Sequence, residues 1–277
     1  MQISIIDHRD YTKSLSEELK YHDCDVVIAD SNIAFLNDKI NTESEIFIVN
    51  EDSVEDIKQF NTHIRRLAYR YPYIVVLKDT DISVDCAVKI NANKATSVNL
   101  DIKDCIHILE DYRNLDRLFH SFSDETKDFP SAGGVIAKSA FNQLFLSSLE
   151  RAERYAERSF LLKITVDNYQ DILTLDGAYA ADYAVAKLSQ ELVHLRRQSD
   201  IIGQTSKSGF TLLLQRISND DEPNDAANRF SQSLSQSTQI IPTGLTDIRL
   251  KVALLELPSG HLRIEKVVSP VAHGSNN

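Results

Sequence analysis

The chain has 277 residues, 42% hydrophobic and 26% charged, with a formal net charge of −11. This length suits two domains that each bury a core, and the acidic balance excludes a general nucleic-acid or anionic-membrane surface, since both need clustered Lys and Arg to neutralise phosphates. The longest apolar runs, such as Tyr73 to Leu77, are too short to cross a bilayer, so a cytoplasmic protein without membrane insertion is expected.

The first hundred residues alternate short β-branched runs (Ile3 to Ile6, Asp25 to Ala29, Glu45 to Val49, Tyr73 to Leu77 and Thr96 to Leu100) with amphipathic stretches. These read as βα repeats, giving an α/β domain with a five-stranded parallel sheet. Ligands of such sheets sit at the carboxyl ends of the strands, here Asp7, His8, Asn50, Lys78, Asp79 and Asp101. Cys24, Cys86 and Cys105 are odd in number and widely spaced, so buried free thiols are expected rather than disulfides or zinc ligands.

The order resembles the receiver domains of two-component response regulators. The resemblance implies an acidic pair after the first strand for magnesium, a phospho-accepting aspartate ending the third, a hydroxyl residue after the fourth and a lysine after the fifth. Asp7 matches one acid and His8 stands where the other belongs. Asn50 falls at the phospho-acceptor position, where an amide is a poor nucleophile and brings no charge to magnesium. Lys78 replaces the hydroxyl residue, and Asn99 and Leu100 occupy the lysine's region. Residues 1–122 are therefore expected to form a pseudo-receiver for dimerisation or docking, the alternative being an unrelated flavodoxin-like domain.

Residues 104–123 read as a helix with Ile108, Tyr112, Leu115, Phe119 and Phe122 in heptad spacing. That stripe either joins two protomers as a homodimer or closes the domain's own core. Residues 123–130 are polar, end in Pro130 and read as a linker.

Beyond it the expected order is a helix (Lys138 to Glu157), a strand (Phe160 to Val166), a helix (Gly177 to Gln198), two strands around a turn (Ile201 to Thr205, Phe210 to Gln215), a helix (Asp225 to Gln236) and a strand (Arg249 to Leu257). This predicts an α+β domain with a central mixed sheet over residues 131–260, followed by a C-terminal tail, 261–277. The segment is similar to the GGDEF domains of diguanylate cyclases: Gly134 and Phe141 fit the opening signature although Ala137 replaces its Asn, Leu161 to Ile172 resembles L-L-x-x-D-x-D-x-F-K-x-I, and Phe210 ends the name-giving loop.

The resemblance implies two divalent ions held by an aspartate ending the first strand and by acids of the hairpin, because hard cations take anionic oxygen ligands. The aspartate position is Thr165 and the loop reads Ser206, Lys207, Ser208, Gly209. The guanine-contacting Asn falls on Leu173, while Asp182 matches the second guanine contact. The eight histidines show no paired spacing and Ser206 and Ser208 no identifiable triad, so no metal, no required cofactor and no enzyme activity are expected.

Arg197 and Asp200 form an RxxD sequence five residues before the loop, the spacing at which this family binds its own product, cyclic di-GMP. A guanidinium forks onto guanine O6 and N7 or onto phosphate, and a carboxylate accepts from guanine N–H groups. RxxD alone is common: Arg113 to Asp116 is a second copy without this context. Arg151, Arg154 and Arg229 stand where the family supplies further arginines. The expectation is a catalytically inactive bacterial signalling protein that binds cyclic di-GMP and passes the signal to an unidentified protein partner. The alternatives are a nucleotide-independent dimerisation and docking scaffold, a residual enzyme acting on GTP, and, for Arg197 and Asp200, a solvated ion pair.

Overall fold

The computed structural model describes residues 1–7, 9, 12–20, 22–29, 43–68, 70–124, 128–129, 131–215, 219–237, 240 and 246–270. Two compact units emerge: Met1–Leu115 with Glu150–Glu157 and Pro258–Gly260, and Asp116–Leu149 with Arg158–Leu257 and the chain from His261 onward.

In the first unit, β1 (Gln2–Ile6), β2 (Asp25–Ala29), β3 (Ile46–Asn50), β4 (Tyr73–Lys78) and β5 (Lys94–Ser97) form one sheet in the order β2-β1-β3-β4-β5. Every pairing is parallel. This is the expected doubly wound α/β sheet, with its topological switch between β1 and β3. All five residues of β3 are buried, as continuous apolar strands covered on both faces should be. Phe60 and Ile64 from α2 (Ile57–Leu67) and Ala87 from α3 (Val84–Lys89) pack on Phe47, Ile74 and Val76. Each helix starts on a side-chain cap: Asp56 accepts from Gln59 N and Ser83 from Cys86 N.

The fifth strand begins and ends earlier than the sequence predicts. Asn99 N bonds Ser97 Oγ at 3.3 Å, and Asp101 and Asp104 exchange backbone-to-carboxylate bonds, turning the chain into α4 (Ile102–Ser123). The apolar stripe of α4 is covered by this chain's own side chains. Tyr112 meets Tyr73 edge-on within the first unit, whereas Phe119 packs on Phe145, and Phe122 on Phe141, within the second. The three cysteines are buried and free.

The second unit's sheet runs β10-β9-β6-β8-β7, from β6 (Ser159–Val166), β7 (Ile201–Ser206), β8 (Gly209–Leu214), β9 (Leu250–Leu257) and β10 (Leu262–Val268). The expectation of a mixed sheet is corrected: the five strands are antiparallel throughout, and the parallel contribution is the isolated bridge Ile136–Gly203. α5 spans Lys138–Tyr155, and Phe141 lies against Gly203 so closely that a Cβ there would sit 2.6 Å from its ring. Two elements were not anticipated. A short helix, α6 (Tyr169–Leu175), follows β6, and β10 occupies the start of the segment read as a tail. α7 (Ala178–Leu195) and α8 (Glu222–Gln236) bury Ala184, Leu188, Phe230 and Leu234 against Phe160, Leu162 and Ile164. Among the described residues no helix is long and apolar enough to cross a membrane.

Candidate functional site

Helix α7 stops at Leu195, two residues short of Arg197, because Arg196 is extended (φ −68°, ψ 151°). Arg197 and Asp200 therefore sit in the turn leading to β7, not on the helix end as predicted. The turn is closed twice: Asp200 N donates to Arg197 O at 3.1 Å, and Arg197 N donates to Asp200 Oδ2 at 3.1 Å. Arg196 adds a bond to Asp200 O at 2.8 Å. Asp200 is 5% exposed and its Oδ1 has no hydrogen-bond partner among the described residues. The Arg197 side chain is half exposed.

Arg197 and Asp200 line a shallow cleft open to solvent, together with Glu222 and Arg229. Its floor is apolar, from Leu214, Pro223 and Ala226. The structure thus brings together three of the predicted ligand-binding residues, Arg197, Asp200 and Arg229. Glu222 escaped the sequence reading because α8 was predicted to start at Asp225; the acid-then-proline pair Glu222-Pro223 was the available signal for the earlier start. Glu222 Oε1 accepts from Arg197 Nη1, and this bond raises the pKa of the guanidinium, with Asp200 adding a smaller effect of the same sign.

The positions of the family's loop lie elsewhere in the unit. Thr165 is in register with Gly209 on β8 and Lys251 on β9. A Cβ at Gly209 would lie 2.5 Å from Thr165 Cγ2, so the threonine methyl fills the room a side chain at 209 needs. Lys207 and Ser208 make the turn between β7 and β8, with Ser206 ending β7 and Lys207 Nζ 5.3 Å above the ring of Tyr169. Tyr169 donates to Asp182 Oδ1 at 3.1 Å, and Leu173 is half-buried against the core. Asp167, exposed just after β6, is the carboxylate nearest in sequence to Thr165, and its N–H donates to Arg249 O at 2.8 Å. Hydroxyls and an ammonium do not replace the anionic oxygens that hard divalent cations take. Among the described residues no group of three or more His, Cys, Asp or Glu is placed to hold a metal ion.

Arg151 and Arg154 belong to the segment grouped with the first unit and do not line the cleft. Arg151 Nε donates to Glu157 at 2.8 Å and Arg154 pairs with Glu150 one turn away, both exposed local ion pairs. At the switch point of the parallel sheet, buried Asp7 is gripped by Arg9 through Nε at 2.9 Å and Nη2 at 2.6 Å, and Asn50 Nδ2 donates to the same carboxylate at 3.0 Å. Lys78 pairs with Glu51 at 2.8 Å. His8 lies outside the described residues.

The family model described as diguanylate cyclase, GGDEF domain, matches residues 131–269, half of the chain. None of the curated proteins compared with the chain matches it. Solved structures similar to parts of it include the GGDEF domain of DgcB from Caulobacter crescentus in complex with c-di-GMP, at 13% identity and a TM-score of 0.40, covering 49% of this chain and 82% of that one. Diguanylate cyclase SiaD of Pseudomonas aeruginosa, solved with its activator SiaC, aligns at 17% identity and 0.41, covering 58% and 61%. Full-length FixJ from B. japonicum aligns at 15% and 0.35, covering 44% and 64%. The family match corrects the expectation that the chain is no enzyme, since the matching model is that of a cyclase. From residue 131 to 269 the sequence is that of a GGDEF domain, and the chain belongs to the diguanylate cyclase, GGDEF-domain family.

Proposed function

We propose that this protein of the diguanylate cyclase family binds cyclic di-GMP in the cleft of Arg197, Asp200 and Arg229, and that the bound dinucleotide controls its interaction with a protein partner. The observation that carries the reading is the convergence of these three side chains, drawn from the α7–β7 turn and from α8, over an apolar floor. Each component suits one part of the ligand. The half-exposed guanidinium of Arg197 offers a planar fork for guanine O6 and N7 or for phosphate. Asp200 Oδ1, without a hydrogen-bond partner among the described residues, accepts from guanine N–H groups, and Leu214, Pro223 and Ala226 meet a base face.

The cleft is shallow and open to solvent, so a guanine with its phosphate would rest on its surface rather than be enclosed. The other half of the dinucleotide extends beyond it, open to a partner. Calorimetric titration of the full chain with cyclic di-GMP tests the reading. Binding by the wild type and its loss in Arg197→Ala are expected; no heat with the wild type, or equal affinity after the substitution, overturns it.

A further inference from the structure

We propose that Glu222 is an internal anion occupying the ligand's place on Arg197, so that an intrachain contact competes for the guanidinium until a guanine or phosphate displaces it. The proposal rests on the reading of the cleft as a cyclic di-GMP site and adds a control to it.

Arg197 carries an exposed guanidinium whose carboxylate partner comes from a different element, the first turn of α8, where the Glu222 side chain is only 18% exposed. A carboxylate on one edge of a guanidinium takes the donors that guanine O6 and N7 or a phosphate would use. Two features make the contact separable from the fold. The 197–200 turn is held by backbone bonds and by Asp200, not by the Arg197 side chain. The start of α8 is fixed by Asn219, whose Oδ1 accepts from Glu222 N at 2.8 Å and from Asp221 N at 3.0 Å. Exchange of Glu222 for a ligand anion therefore leaves both elements in place.

Ion pairs near the surface are weak, so the paired state lowers the apparent affinity only modestly, by the fraction of molecules in which the contact is broken. Calorimetric titrations with cyclic di-GMP on wild type, Glu222→Gln and Glu222→Asp test this. Glu222→Gln is expected to tighten binding about fivefold. Glu222→Asp keeps the negative charge at the helix N-terminus but is one methylene too short for the contact, and should tighten it too. In ligand-free Glu222→Gln the Arg197 Nε–H resonance should also shift and exchange faster with solvent. Unchanged or weaker binding in both variants, with the wild type binding, overturns the competition while sparing the site. Absence of binding by wild type and both variants overturns the site itself. Should Glu222→Gln fail to fold, the Asp variant decides.

Discussion

Gly209 stands in register with Thr165 where the hairpin meets the end of β6, and its substitution by alanine has a calculable cost. The new methyl would lie 2.5 Å from Thr165 Cγ2, 2.8 Å from Ser206 Oγ and 3.4 Å from Ile164 O. Carbon atoms pack best at roughly 3.5–4.0 Å, so the methyls overlap by about 1 Å, and forcing in such a group costs about 1–3 kcal/mol. Replacing a strand glycine by alanine returns about 0.5–1 kcal/mol of backbone entropy. The net expectation is a destabilisation of about 1–2 kcal/mol. Thr165→Ser removes Cγ2, and the remaining close atom, Ser206 Oγ, can rotate away. In that background Gly209→Ala should be neutral to slightly stabilising. Urea unfolding of the full chain, with amide hydrogen exchange in β6 and β8 to isolate the second unit, measures both steps. An equal cost of Gly209→Ala in the wild-type and Thr165→Ser backgrounds, or no cost in either, refutes the packing argument.

Further expectations concern buried charge. Glu256, 1% exposed, accepts from Arg158 Nε at 2.8 Å and Arg263 Nε at 2.9 Å, so Glu256→Ala removes the buried carboxylate shared by two guanidinium groups, each of which keeps a bond to Asp220, and should cost about 3 kcal/mol in thermal melting. Asn50→Asp places a second buried carboxylate 3.0 Å from that of Asp7 and should cost about 3 kcal/mol at neutral pH. Like-charge repulsion raises the folded-state pKa of that pair, so the loss relative to wild type should shrink as pH falls through it, as pH-dependent denaturation can show. Burial, then Lys251 and Arg117, lowers the pKa of Lys163 below 10.5. Between that lowered value and 10.5 the unfolded chain holds more protons, so stability rises with pH. Lys163→Met should therefore stabilise the chain at neutral pH, with a gain that fades as pH approaches 10.5.

The parallel sheet was legible because strands buried on both faces must be continuously apolar, as Ile46 to Val49 and Tyr73 to Leu77 are. β10 was not. As an edge strand it carries Arg263, Glu265 and Lys266, which hide the alternation a half-buried strand shows. The RxxD spacing singled out Arg197 and Asp200, which line one cleft, but the end of α7 was misplaced because Arg196 to Ser199 carries neither Gly nor Pro to mark a stop. Glu222 reaches Arg197 across 25 residues, a contact that periodicity cannot foresee. Arg151 and Arg154 show the converse: on one helix face, an arginine paired with its own glutamate has the same sequence signature as one awaiting a ligand. The expectation of no enzyme came from weighing Thr165 and Lys207 one position at a time, whereas the match to the cyclase family rests on the whole of residues 131–269.

The proposed docking place of cyclic di-GMP is the cleft of Arg197, Asp200 and Arg229. A hydrogen–deuterium exchange footprint of the full chain, with and without saturating ligand, should show protection in residues 196–201 and 219–229 and little change around Thr165, Leu173 and Asp182. Protection centred on those three, with 196–201 unaffected, would contradict it.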